Sequence, residues 1–213
     1  MENMVRVTRH VAARLAREGA FDAGRRVLSF VPTHEGLSHH VDAVGETWRL
    51  VPWVEGTRAT ERAATEAEAR ETARAFGRFL AHLQDLPAPP LHETILAFHD
   101  TPGRLVAFEQ AVAADRVARA SGCRREIDAL LDRRPLASAL AAPAARGEIP
   151  VRPTHNDAKI ANVLFDETTG EGVCVVDLDP VMPGLASYDF GDLARSTVSD
   201  TDEDERDLER VRV

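Results

Sequence analysis

Apolar side chains recur every three or four residues at two places along the chain, which is the spacing that gathers them on one face of a helix. The first set predicts a helix over residues 1–18 and comprises Met4, Val7, Val11 and Leu15. The second set predicts a helix over residues 64–86 and comprises Ala69, Ala73, Phe76, Leu80 and Leu83. The proline-rich stretch 86–90 ends this second helix, because proline cannot continue one.

Local signals predict four further helices. Pro102 suits the first position of a helix, with Thr101 as its N-cap, and this helix is expected to run to about Ser121. The other three are shorter and are expected over residues 124–133, 135–145 and 187–196.

Runs of apolar and β-branched residues predict strands on either side of these helices. The runs are residues 26–31, 39–42, 47–54, 163–165 and 172–178. The first three lie close together in the chain and predict a small antiparallel sheet. Strands followed by helices, with no internal repeat, favour an α+β fold with two unequal parts.

The net charge of the chain argues against one class of binding partner. The sequence has 213 residues and a formal net charge of −9, which argues against a nucleic-acid partner because a phosphate backbone requires a basic face. No apolar run approaches the roughly 20 residues of a membrane span, and no apolar signal-peptide core follows Met1, so we expect a cytoplasmic protein with no membrane partner. The two cysteines, Cys123 and Cys174, do not make a disulfide framework.

The most informative motif is His-Asn-Asp-Ala-Lys-Ile-Ala-Asn at residues 155–162, followed by Asp177 at the end of a predicted strand. Kinase-like phosphotransferases build their active site from a loop and a strand of this form. Asp157 is the candidate catalytic residue, which would accept or orient the proton of the acceptor hydroxyl. Asn162 and Asp177 are candidate metal ligands, because Mg²⁺ prefers oxygen atoms. The alternatives are a turn-forming or capping role for Asp157 and a loop-closing role for Asn162.

Three neighbouring residues have two interpretations each. Asp179 lies two positions after Asp177 and would face the same way if the strand continues, as a ligand of a second ion; it could equally cap a turn. Lys159 has the position of a cation beside the transferring phosphate, or is a solvated surface residue. His155 is interpreted as a residue that holds the loop by hydrogen bonds to the backbone rather than as a general acid.

The residues around these motifs resemble the aminoglycoside phosphotransferase and choline kinase superfamily. The similarity is most specific in residues 154–166 and 176–184, and within the superfamily it is greatest to the N-acetylhexosamine 1-kinase branch. Further segments similar to that branch are residues 1–8, 47–49, 98–104 and 188–195. The resemblance implies a bilobal, protein-kinase-like fold, the cofactors ATP and Mg²⁺, and a sugar anomeric hydroxyl as acceptor. It also suggests that Asp189 or Asp192 braces the catalytic loop, whereas helix capping is the alternative role.

The resemblance also implies a domain division. Residues 1–56 would be the remnant of a small N-terminal lobe, with a helix, antiparallel strands and a hinge. Residues 57–213 would be a partial helical C-terminal lobe with the catalytic loop and the metal-binding strand. A hinge of this kind offers backbone groups to adenine, and Pro52 has no N–H, so Trp53 and Val54 are the candidate cofactor-binding residues. The alternative for Trp53 is packing between the lobes.

Members of this superfamily begin with strands that carry a loop over the nucleotide and a basic residue that anchors phosphate. They also continue with helices that complete the acceptor side. The sequence contains neither a Gly-x-Gly-x-x-Gly nor a Val-Ala-Ile-Lys pattern. The expectation is therefore a chain truncated at both ends.

Three functional hypotheses follow from these observations. The first is an ATP- and Mg²⁺-dependent sugar kinase that resembles N-acetylhexosamine 1-kinase. The second is a kinase of the same superfamily with an aminoglycoside or an amino alcohol such as choline as acceptor. The third is an inactive, truncated fragment that lacks the loop that grips the nucleotide.

Overall fold

The computed structural model describes residues 1–20, 22–199, 201 and 205–207. The chain forms two compact units, of which the first comprises residues 1–94 and 152–213 and the second residues 95–151. These units are not the two lobes predicted from the sequence, whose boundary at residue 56 falls inside the first unit. The division into lobes stays a prediction.

Helices and short strands alternate along the chain. The helices are α1 (Glu2–Arg17), α2 (Ala23–Arg26), α3 (Glu66–Leu83), α4 (Thr101–Ala114), α5 (Arg124–Asp132), α6 (Ala141–Ala145) and α7 (Ala186–Val198). Short 3-10 helices span Ala120–Cys123, Arg134–Ser138 and Ile160–Asn162. The strands are β1 (His40–Val41), β2 (Thr47–Trp48), β3 (Thr57–Arg58), β4 (Arg152–Thr154), β5 (Val163–Asp166), β6 (Gly172–Val175) and β7 (Met182–Gly184). This mixture agrees with the predicted α+β class.

The strands form three small sheets in which every pair is antiparallel. β1 pairs with β2, β4 pairs with β7, and β5 lies between β3 and β6. In the central sheet Val163 is opposite Val175, and the register shifts between Leu164 and Phe165. All of these strands belong to the first unit.

The core of the first unit is built by α1, α3 and the segments around β5 and β6. The predicted apolar face of α1 is confirmed, because its four members Met4, Val7, Val11 and Leu15 are all buried. On α3 the prediction is partly wrong. Phe76 and Leu83 are buried as expected, but Ala73 is exposed and the buried face instead includes Thr72 and Phe79.

The strand predicted over residues 26–31 is wrong. Asp22 and Arg26 form an ion pair one helical turn apart, at 2.7 Å, and the segment Ala23–Arg26 is the short helix α2. Val31 donates a single backbone hydrogen bond to Leu50, at 2.9 Å, and no ladder forms there among the described residues.

Three of the other predicted strands are shorter in the structure than in the prediction, whereas the run 163–165 forms β5 and extends one residue further, to Asp166. The run 39–42 contains β1, and only Thr47–Trp48 of the run 47–54 is strand, where Pro52 has no N–H to contribute to a ladder. The predicted strand 172–178 ends at Val175.

In the second unit the helices predicted to begin at about residues 101 and 124 are present, but the run 135–145 divides into the 3-10 helix Arg134–Ser138 and α6, and one predicted cap is wrong. The side chain of Asp100, not of Thr101, accepts the hydrogen bond from the Gly103 N–H, at 3.0 Å. That helix ends at Ala114, before Asp115 in a left-handed conformation, and so is shorter than the predicted run to Ser121. Within the described part of the chain, no helix is both long and apolar enough to cross a membrane.

Candidate active site

The segment 155–162 is a tight loop that leads from β4 into β5. Lys159 N–H donates to the backbone oxygen of Asp157, and Asn162 N–H donates to the backbone oxygen of Lys159, both at 2.9 Å. The Asn162 side-chain amide donates to the backbone oxygen of Asp157 at 2.8 Å and to its carboxylate at 2.9 Å. The loop is therefore closed around Asp157, and the structure brings Asp157 and Asn162 together as the motif predicts.

The orientation of the Asn162 amide follows from its partners. The backbone oxygen of Asp157 can only accept, so the atom facing it must be the NH₂ group. The Asn162 amide oxygen then has no hydrogen-bond donor among the residues that the structure describes. An amide oxygen is the kind of atom that a hard cation binds.

His155 is fully buried, and its ring makes edge contacts with Phe76 and Phe79, at centroid distances of 5.2 and 5.9 Å. Its Nε2 lies 2.9 Å from the backbone oxygen of Val176, so Nε2 carries the proton. Burial lowers the pKa of His155, which keeps the ring neutral at pH 7. His155 thus links the catalytic loop to the end of β6, and the interpretation that it holds the loop by bonding to the backbone agrees with this contact.

Val176, the residue before Asp177, is hydrogen-bonded to the loop 155–162 through both its N–H and its carbonyl oxygen. The Val176 N–H donates to the backbone oxygen of Asn162, at 2.9 Å, while the Val176 oxygen accepts from His155. Asp177 then turns away from the strand with φ of 56°, a conformation uncommon for residues other than glycine. Its carboxylate is exposed and follows directly on a residue that is bonded to Asn162.

Asp179 does not continue a strand, so the premise for its predicted direction is wrong. The strand has ended at Val175, and the Asp179 carboxylate instead binds both terminal nitrogens of Arg49, one of them at 2.8 Å. The hydrogen bond from Arg49 lowers the pKa of Asp179. Its role as a metal ligand stays a prediction.

Lys159 is partly buried, and its Nζ lies 3.9 Å from the Asp157 carboxylate. The side chains are 28% and 25% exposed, respectively, so both can meet a ligand from the solvent side. This position places a cation beside the candidate catalytic carboxylate, as expected of a residue that contacts a phosphate.

The predicted cofactor-binding residues lie on the wall of one open pocket of about 290 Å³. Trp53, Val54 and Asp177 all line it, together with Met4, Leu28, Phe30, Arg49, Val51, Pro52, Leu164, Val176 and Leu178. The Trp53 side chain is 83% exposed, and its packing between lobes stays an untested alternative. The Val54 backbone oxygen accepts a hydrogen bond from the Thr57 hydroxyl at 2.7 Å.

The candidate site offers oxygen atoms of the kind that Mg²⁺ binds. In the described part of the chain, no three His, Cys, Asp or Glu side chains gather into a metal-binding group. Mg²⁺ is commonly held by one or two carboxylates together with substrate phosphates and waters. The Asn162 amide oxygen and the Asp177 carboxylate fit that pattern.

Two site residues were not found as such from the sequence. Asn156 is buried in a left-handed conformation with φ of 67°, and its amide donates to the backbone oxygens of Pro180 and Met182, at 3.0 and 3.2 Å. Asn3, on α1, donates to the backbone oxygen of Val181 at 2.9 Å. Their burial depends on contacts between distant segments, and no local signal in the sequence indicates it.

A carboxylate and a cation on one loop, with Asp177 on the wall of an apolar pocket, are features expected of a phosphotransferase. The model of the family described as "Phosphotransferase enzyme family", APH, matches residues 1–212. The chain belongs to this family, and the predictions of a phosphotransferase and of the superfamily are confirmed. Membership implies a protein-kinase-like fold, a small-molecule substrate, the use of ATP and, typically, a divalent metal.

Proposed function

We propose that the protein transfers the γ-phosphoryl group of ATP to a hydroxyl group of a sugar, with Mg²⁺ as the metal. The observation that supports this most directly is the hydrogen-bonded pair of Asp157 and Asn162 beside the end of β6, where Asp177 follows. Phosphoryl transfer requires an aligned hydroxyl and neutralisation of phosphate charge more than covalent help from the protein.

Asp157 orients the acceptor hydroxyl and receives its proton as the phosphoryl group is transferred. Positioning matters more than proton affinity here, because an ordinary aspartate is a weak base. The Asn162 amide restrains the carboxylate through one hydrogen bond, at 2.9 Å, and the Asp157 backbone oxygen through a second, at 2.8 Å. Lys159 supplies positive charge next to the same carboxylate, where it can bind an oxygen of the transferred group.

The metal would be held by the Asn162 amide oxygen and the Asp177 carboxylate. When bound, Mg²⁺ neutralises negative charge on the phosphate oxygens. The positive φ of Asp177 directs the chain out of β6 at this point, so the carboxylate belongs to a turn rather than to the strand.

The base of ATP would occupy the pocket lined by Trp53 and Val54. The carbonyl group of Val54 is already bonded to Thr57, whereas its N–H has no acceptor among the described residues and is available to a base. The exposed ring of Trp53 offers a face for stacking. The same pocket reaches Asp177, so a nucleotide bound there would direct its phosphates toward the metal ligands.

The choice of acceptor rests on the resemblance to N-acetylhexosamine 1-kinase. We propose an N-acetylhexosamine phosphorylated at the anomeric hydroxyl. A cationic acceptor such as an aminoglycoside or choline requires an acidic or aromatic pocket. The net charge of −9 allows such a pocket, but aromatic residues make up only 5% of the chain.

The test is ATP turnover with a panel of N-acetylhexosamines, aminoglycosides and choline in the presence of Mg²⁺. We expect turnover with a hexosamine, and a loss of about 10²- to 10⁴-fold in Asp157→Asn. Asp132→Asn, at the exposed end of α5, is the matched control and should retain full activity. Full activity in Asp157→Asn would refute the assignment of the site.

A separate measurement tests the alternative of an inactive fragment. A ligand that binds the native state raises its melting temperature. If ATP with Mg²⁺ leaves the melting temperature of the wild-type protein unchanged, the chain does not bind nucleotide and the inactive alternative is supported.

A further inference from the structure

The segment from Val176 to Val181 is anchored both by its backbone and by the buried side chains of Leu178 and Val181. Side chains from several distant parts of the chain donate to its carbonyl oxygens. The pairs are His155 with Val176 at 2.9 Å, Thr94 with Asp179 at 3.2 Å, Asn156 with Pro180 at 3.0 Å and Asn3 with Val181 at 2.9 Å. Among the described residues, no side chain donates to the carbonyls of Asp177 and Leu178, and the Leu178 carbonyl accepts from the Val181 N–H at 3.2 Å.

One side chain of this segment is fixed by a charged partner. Both oxygens of the Asp179 carboxylate accept hydrogen bonds from the two terminal nitrogens of Arg49. A two-point contact between guanidinium and carboxylate fixes the relative orientation of the two groups, which a single contact does not. The Arg49–Asp179 pair therefore restrains the chain two residues after Asp177.

Arg49 also lies in the electrostatic field of Asp177. The hydrogen bond to Asp179 raises the pKa of Arg49, and the charges of Asp179 and Asp177 act in the same direction. Arg49 follows β2 directly and lines the same pocket as Trp53 and Asp177. One guanidinium thus connects the segment proposed to bind the base with the turn that carries the proposed metal ligand.

The pair contributes little to folding. The side chains of Arg49 and Asp179 are 38% and 47% exposed, and ion pairs at such sites typically stabilise a protein by about 1 kcal/mol or less. Loss of the pair should leave the fold intact. We expect the loss of the pair to affect Asp177 instead. This residue is in a left-handed conformation and lies between Val176 and Asp179, which are both anchored.

We infer that Arg49 is a positioning residue that fixes Asp177 for metal-bound nucleotide and acts through Asp179, which does not itself bind the metal. This inference rests on the proposed function for the meaning of Asp177, and it assigns a role to two residues that the proposed chemistry leaves unused.

The test is a double-mutant cycle with Arg49→Gln, Asp179→Asn and the double variant. The probe is a non-hydrolysable ATP analogue, with Mg²⁺ or with EDTA, and the readout is the dissociation constant from calorimetry. We expect each single variant to bind the Mg²⁺ complex about tenfold more weakly and the double variant to bind no worse than either, because they disrupt one contact. Binding without metal should change less than about twofold.

Two outcomes would overturn the inference. If Asp179→Asn impairs metal-dependent binding far more than Arg49→Gln, and the two effects add, Asp179 is a metal ligand. If Arg49→Gln weakens binding equally with and without Mg²⁺, Arg49 contacts the nucleotide directly. The matched control is Arg146→Gln, since Arg146 makes a similar two-point contact with Glu148 at an exposed site, at 2.6 and 2.9 Å.

Hydrogen exchange of the free protein tests the positioning role without any nucleotide. Arg49→Gln and Asp179→Asn should both accelerate exchange of the amides at residues 177–179 and leave residues 160–166 unchanged. Unchanged exchange at residues 177–179 refutes the positioning role. If the wild-type protein binds no nucleotide but the exchange result holds, the proposed function fails while Arg49 still fixes the turn.

Discussion

The carboxylate of Asp189 lies 2.6 Å from the backbone nitrogen of Asn156, and its second oxygen accepts a bond from the His155 N–H at 2.9 Å. Asp189 is in the first turn of α7, so the start of that helix is bonded directly to the loop that carries Asp157. Burial raises the pKa of Asp189, and the two backbone donors oppose that rise. The resemblance suggested either Asp189 or Asp192 for this bracing role; Asp189 has it, and Asp192 pairs with Arg195 at 3.4 Å.

Removal of the Asp189 carboxylate should destabilise the protein. Asp189→Ala leaves two buried N–H groups without an acceptor, and each such group costs about 1–3 kcal/mol. We expect the free energy of unfolding in urea to fall by about 2–4 kcal/mol, and by less in Asp189→Asn, which keeps one acceptor oxygen. Asp192→Asn, which removes a carboxylate that is 22% exposed and pairs with Arg195 on the same helix, should change it by about 1 kcal/mol or less. Equal losses at the two positions would contradict the bracing role.

Gly184, on β7, lies so close to Thr154 and Asn156 that a larger side chain should reduce the stability of the protein. A methyl group at Gly184 would lie 2.3 Å from both the Thr154 hydroxyl and the Asn156 amide oxygen, two buried atoms bonded to each other at 3.1 Å. Gly184→Ala should therefore lower the free energy of unfolding by about 1–3 kcal/mol.

Gly77→Ala is the matched comparison for this substitution. Gly77 lies inside α3, where an added methyl group meets no atom within 4 Å. Alanine is the better helix former by about 0.8–1.0 kcal/mol, so Gly77→Ala should stabilise the protein. Chemical denaturation of both variants measures the contrast, and a stabilised Gly184→Ala protein would show that β4 and β7 are not closely packed.

The features predicted best from the sequence are those that depend on the spacing of neighbouring residues. The face of α1 was correct, and so were the loop motif and the residues that it places together, because the spacing from Asp157 to Asn162 spans a single turn-rich segment. Contacts between distant segments could not be predicted in this way. Arg49 and Asp179 are 130 residues apart, and Asn3 and Val181 are 178 apart. The predicted strand at 26–31 failed because its first residue, Arg26, belongs to the short helix α2, and Arg26 also pairs with the distant Glu171, at 3.0 Å, which the sequence does not indicate.

Asp166 should make stability depend on acid pH. Its carboxylate accepts from the Thr169 N–H at 2.8 Å and from Arg25 at 2.9 Å, and these bonds hold its pKa well below the usual range. An aspartate in the unfolded chain has a pKa of about 3.9. Because the folded pKa is lower, the stabilisation is complete above that value and is lost as the pH falls through the folded pKa.

The measurement is the free energy of unfolding from pH 7 to pH 2 for the wild type and Asp166→Asn. We expect the variant to be less stable at pH 7 and the gap between the two curves to narrow as the pH drops below about 4. Parallel curves over the whole range would mean that Asp166 has the same pKa in the folded and unfolded states.

Trp53 should contribute to nucleotide binding without contributing to the fold. Its ring is 83% exposed on the wall of the pocket that also contains Asp177, and stacking of a base on an aromatic ring is worth about 1–3 kcal/mol. Trp53→Ala should therefore weaken binding of an ATP analogue by about 5- to 150-fold in calorimetry, with an unchanged melting temperature.

The chain provides its own control, because Trp48 is also exposed, at 63%, but does not line the pocket. Trp48→Phe keeps an aromatic ring and loses only the indole hydrogen bond to Asp42, at 2.9 Å. We expect it to bind the nucleotide as the wild type does. If both tryptophan variants lose affinity to the same extent, the effect is a general one on the region around β2, and the base binds elsewhere. If only Trp53→Ala loses affinity, the result supports stacking of the base on Trp53.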